Sequence, residues 1–120
     1  MYELDITRKL SGDNLKGIII AGDTELYANV DAATIYEAMA YMDEASSAID
    51  ALKKNPENPA LKNRAGKAGL NIYKALRLIY DDEEYEKIKR MNVTTKDLGV
   101  LVEAAIKLFN NREEQVNSKN

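Results

Sequence analysis

The chain has 120 residues, 45% hydrophobic and 31% charged, a size and balance that fit one globular domain with its own core. It contains no histidine and no cysteine, which removes Ser-His and Cys-His nucleophile pairs, the usual zinc ligands and any disulfide framework. The net charge of −3 is uneven: five basic against eleven acidic side chains up to residue 59, then twelve against nine, so a chain acidic overall is a poor general nucleic-acid binder.

No apolar run approaches the about 20 residues of a membrane span, and the acidic, alternating start is not a signal or transit peptide. Tyr2, Leu4 and Ile6 alternate with Glu3, Asp5 and Thr7, the period of a half-buried strand. Ser11 to Asn14 is turn chemistry, Gly17 to Gly22 a second β-branched run, and Leu26 to Val30 a third. Residues 2–30 therefore predict an antiparallel hairpin or a three-strand meander, too small to stand alone and bound to pack on helices or a partner.

Asp31 is placed to cap a long helix whose apolar stripe runs Ile35, Met39, Met42, Ser46, Ile49 and Leu52. It ends at Lys53 and Lys54, before Pro56 and Pro59. A second helix is predicted from about Ala60 to Tyr80, with Leu61, Ala65, Ala68, Ile72, Leu76 and Ile79 on one stripe and Leu70, Tyr73, Arg77 and Tyr80 on another. Gly66 and Gly69 in its first turns mark either a close helix crossing or a weakened start.

Four acids, Asp81 to Glu84, then open a short helix through Met91 that closes on Lys87, Lys89 and Arg90, the order the helix dipole favours. Thr94 and Asp97 form a capping box, with Val93 and Leu98 as a hydrophobic staple. The last helix presents Leu98, Leu101, Val102, Ala105, Leu108 and Phe109 on one face. The organisation is one domain over 1–112, a β element at 2–30 and a helical part at 31–112, followed by a polar, flexible tail at 113–120. The fold class is mainly α (α+β), a hairpin or meander followed by a three- to four-helix bundle.

Consecutive acids on a helix diverge by about 100°, so Asp81 to Glu84 read as helix-end charges and not as a metal site. No calcium loop or glycine-rich phosphate motif is present, and no cofactor is expected. Seven tyrosines against one phenylalanine suit a protein-binding surface, for which Tyr36, Tyr41, Tyr73, Arg77 and Tyr80 are the candidates. A second reading is a small regulatory or DNA-associated protein using Lys62, Arg64, Lys67, Lys74 and Arg77, although these span more than one helix face.

The stretch LRLIYDDEEYEKIKRMNVTTKDLGVLVEAAIKLF, Leu76 to Phe109, with the β element and helices before it, resembles the tail assembly chaperones of long-tailed bacteriophages and prophages. The resemblance implies a non-enzymatic protein of the host cytoplasm, with no cofactor, nucleic acid or membrane partner. Its client is the tape measure protein, whose long helical apolar surface it keeps soluble during tail morphogenesis while recruiting tail tube subunits. Some members self-associate. Others have a frameshifted longer form, and Ser118 to Asn120 is compatible with an adenine-rich slippery stretch in the gene.

Overall fold

A computed structural model describes residues 16–118, with side chains through Gln115. The strand expected at 2–10 and the turn after it lie outside the described residues. The next two strands are present as β1 (Lys16–Ala21) and β2 (Thr24–Asn29), an antiparallel pair with Ile18 opposite Tyr27 and Ile19 opposite Leu26. Gly22 opens the two-residue turn between them at φ +61°, a conformation that costs glycine nothing.

Alternation sorts the hairpin into two faces. Gly17, Leu26 and Ala28 are buried, with Ile19 and Ala21 packed against the core, whereas Ile18, Ile20 and Tyr27 face outward. The inner face lies so close to the last helix that a Cβ on Gly17 would stand 2.1 Å from Leu108 Cδ2.

Helix α1 (Ala32–Lys54) begins where Asp31 accepts the Thr34 N–H at 3.0 Å, as the sequence indicates. Its buried residues are Ile35, Ala38, Ala45 and Ala48, while Ser46 is exposed and Ile49 is 40% exposed. The expected stripe is thus rotated. The helix packs chiefly along α3 (Ala68–Ile79), which also buries alanines, and a seam of small side chains lets two helix axes approach while larger ones flank it.

The single helix expected over 60–80 is interrupted. Asn58 accepts the N–H groups of Ala60 and Leu61 to start α2 (Pro59–Gly66), and the chain breaks at Lys67 before α3. The two glycines seat no close crossing: a Cβ on Gly66 would meet nothing within 4 Å, and one on Gly69 only Thr95 at 3.7 Å. Glycine here weakens the helix enough for it to part.

After α4 (Asp82–Arg90), Asn92 turns through φ 56°. The capping box then closes α5 (Thr95–Ser118), with the Thr94 N–H donating to Asp97 Oδ2 at 3.0 Å and the Asp97 N–H to Thr94 Oγ1 at 3.2 Å. This helix runs on past the expected end near residue 112, and Ile106 joins the buried face read from the sequence. The core gathers Leu26, Val30, Ile35, Leu76, Ile79, Tyr80, Ile88, Val102 and Phe109, with α3 between α1 and α5. The mainly α, α+β architecture is therefore as the sequence predicts.

Candidate functional site

The sequence offers Asp81 or Asp82 as the cap of α4, but no side chain caps that helix start. Asp81 occupies the N-cap position of α4, yet its side chain makes no capping bond. It reaches the hairpin instead, accepting from Lys16 Nζ at 2.7 Å and from Asn29 Nδ2 at 2.9 Å, while Lys16 also donates to Asn29 Oδ1. One turn on, Glu84 Oε1 accepts the Tyr27 backbone N–H at 2.8 Å and Lys87 Nζ at 3.0 Å. Lys87 also donates to the Glu25 carbonyl at 3.2 Å. Arg77 completes the group, bonded to Asp82 at 2.6 Å and to Tyr73 Oη at 2.9 Å, with its guanidinium 4.1 Å above the Tyr85 ring.

These residues line an open cleft of about 770 Å³ bounded by Lys16, Tyr27, Arg77 and the four acids. Lys16 and Asn29 hold the Asp81 carboxyl below its usual range. Burial pushes the Glu84 carboxyl up, but the Tyr27 N–H and the Lys87 and Lys16 charges outweigh it and leave it lowered. Each cation here has an acid partner, so the arrangement anchors the hairpin to α4. Among the described residues no group of three or more acids is placed to hold a metal ion.

The sequence-chosen tyrosines fall in separate places. Tyr36 is 61% exposed on α1, edge-on to Phe109 with ring centroids 5.6 Å apart. Tyr41 is half-buried beneath Lys74, whose ammonium stands 5.9 Å from the ring. Tyr73 and Arg77 do come together, joined by Tyr85 from α4. Tyr80 is not a surface residue: it is fully buried, and its hydroxyl donates to the Leu101 carbonyl at 2.8 Å. The chain leaves α3 at Tyr80, so the side chain turns under α5 instead of extending the amphipathic face.

Sequence reasoning missed the outer face of the hairpin, where Ile18 is 55%, Ile20 71% and Tyr27 40% exposed. The signal was present, because three consecutive isoleucines in a strand covered on one side must leave some outside. It also missed Glu84, which lies one turn before the buried Ile88 and so on the inward face of α4. Of the basic residues in the alternative reading, Arg64 makes a two-pronged contact with Glu44 at 2.7 and 3.0 Å, Arg77 pairs with Asp82 and Lys62 lies 3.8 Å from Glu57. Lys67 and Lys74 are in no ion pair among the described residues, and Lys74 stands over the Tyr41 ring.

No family model, characterised protein or solved structure matches the chain. Among the described residues no helix is long and apolar enough to cross a membrane.

Proposed function

We propose that the chain is a tail assembly chaperone that binds the tape measure protein through the outer face of its hairpin. The observation that carries this reading is the exposure of Ile18, Ile20 and Tyr27 side by side on one sheet face. Contiguous apolar surface of this kind marks a partner site. Lys16 and Lys87 beside it are paired with Asp81 and Glu84, which leaves Glu25, opposite Ile20, as the acid on this face with no ion pair among the described residues. The family resemblance over Leu76–Phe109 supplies the identity of that client.

Co-expression with the tape measure protein of the same tail gene cluster tests the reading. The wild-type chain should raise the soluble yield of tape measure protein, and the double variant Ile18→Asp/Ile20→Asp should lose that effect while remaining folded. Unchanged solubility with the wild-type chain overturns the proposal.

A further inference from the structure

The side of α5 turned away from the core carries Lys96, Gly99, Val100, Glu103, Ala104 and Lys107, and faces Met42 of α1 across a groove of about 440 Å³. The groove follows from the packing: α3 lies between α1 and α5, which meet each other over a shorter length. Its floor is almost wholly apolar, and Val100 is 58% exposed. Lys96 and Lys107 stand at its two ends, eleven residues apart, which is about three turns and about 16 Å along one side of the helix. Among the described residues neither lysine is in an ion pair.

Gly99 lies between them. A Cβ there would meet nothing within 4 Å, so nothing inside the fold requires glycine, although glycine in a helix interior is less stable than alanine. A backbone left bare beside an apolar groove is what a second helix needs for close approach.

We infer that the α1–α5 groove docks an amphipathic helix of a partner protein, with its apolar stripe on Gly99, Val100, Ala104 and Met42. Carboxylates about three turns apart on that helix pair with Lys96 and Lys107. Glu103 on the same rim disfavours a third carboxylate at the midpoint. The inference deepens the reading of a helical protein client, but at a surface separate from the hairpin face.

Fluorescence anisotropy with a labelled synthetic helix of about 18 residues tests it, the peptide carrying leucine and alanine on one face and two glutamates three turns apart. A twin peptide has lysines in place of the glutamates. The full chain should bind the glutamate peptide and not its twin. Gly99→Leu should weaken binding by about tenfold or more, and Lys96→Glu/Lys107→Glu should reverse the preference in favour of the lysine twin. Circular dichroism and thermal melting establish that the variants are folded, and the charge reversal decides if Gly99→Leu is not. Ile18→Asp/Ile20→Asp should leave peptide binding unchanged, so failure of the tape measure reading and failure of this one are distinct results. Equal binding of the two peptides, binding of neither, or an unaltered preference in the charge-reversed variant overturns the inference. So does a self-association of the wild-type chain that Gly99→Leu abolishes, which would assign the groove to a second copy.

Discussion

Glu84 accepts the backbone N–H of Tyr27 at 2.8 Å, so the outer edge of β2 is closed by a helix side chain where a sheet would ordinarily supply another strand. Lys87 serves the Glu25 carbonyl of the same edge and pairs with Glu84, which makes one turn of α4 a mimic of strand pairing. A hydrogen bond to a charged acceptor contributes about 1.5–3 kcal/mol, so Glu84→Ala should lower stability by about 2 kcal/mol. Glu84→Gln keeps an acceptor and should cost less. Urea denaturation gives the energies, and hydrogen exchange at the Tyr27 amide locates the effect. An equally protected Tyr27 amide in Glu84→Ala would sink this account of the edge.

Stability should fall on both sides of a broad plateau in pH. Asp81, held low by Lys16 and Asn29, Glu84, held low by the Tyr27 N–H and its cations against the push of burial, and Glu44, held low by Arg64, all titrate lower folded than unfolded. The unfolded chain therefore takes up protons first, and the stability these groups contribute is full above about pH 5 and lost as pH falls through about 4 and below. At the other end, burial pushes the Tyr80 phenol up, so stability declines once unfolded tyrosine ionises, near about pH 10. With no histidine in the chain the interval between should be nearly flat. Thermal midpoints across the range check the shape, and Glu84→Gln should shallow the acid limb. A steep change near neutrality would contradict it.

Tyr80→Phe and Tyr80→Ala separate the two roles of one buried ring. The first removes only the hydroxyl donated to Leu101, a loss of about 0.5–1.5 kcal/mol. The second empties space among Ile79, Ile88 and Val102 in the core and should cost about 3–5 kcal/mol. Denaturant midpoints with unchanged slopes are the measurement. If Tyr80→Ala left stability intact and abolished client binding alone, Tyr80 would be a surface anchor after all.

What was legible in the sequence was local. Asp31 finds Thr34 three residues away and Thr94 finds Asp97 at the same spacing, so both caps can be read from residue type and distance along the chain. The hairpin was legible because β-branched alternation around Gly22 carries its own turn. The phase of α1 was not, since which stripe is buried depends on how closely α3 approaches, and Ala38, Ala45 and Ala48 give weaker signals than Met39 or Ile49. Glu84 and Tyr27 are 57 residues apart, and nothing local announces that an acid on a helix will meet a strand amide. Tyr80 and Tyr36 look alike as sequence. Only the break after Ile79 buries one, while the other remains on an open helix face.

The hairpin also meets the last helix at Gly17, which sets the last expectation. A Cβ there would lie 2.1 Å from Leu108 Cδ2 and 3.3 Å from Leu108 Cγ, so the Leu108 methyl must turn aside and its Cγ must give by a few tenths of an ångström. Overpacking of this kind costs about 1–3 kcal/mol. Replacing glycine also restricts the unfolded chain, a gain of about 0.4–1 kcal/mol that offsets only part of the strain. Gly17→Ala should therefore be destabilising. Leu108→Ala removes the obstacle at the expense of its own packing, so the double variant should be less destabilised than the two single losses together, by about 1 kcal/mol. A cycle of urea denaturations on the four proteins measures that coupling. Strict additivity would mean that the hairpin does not rest on Leu108.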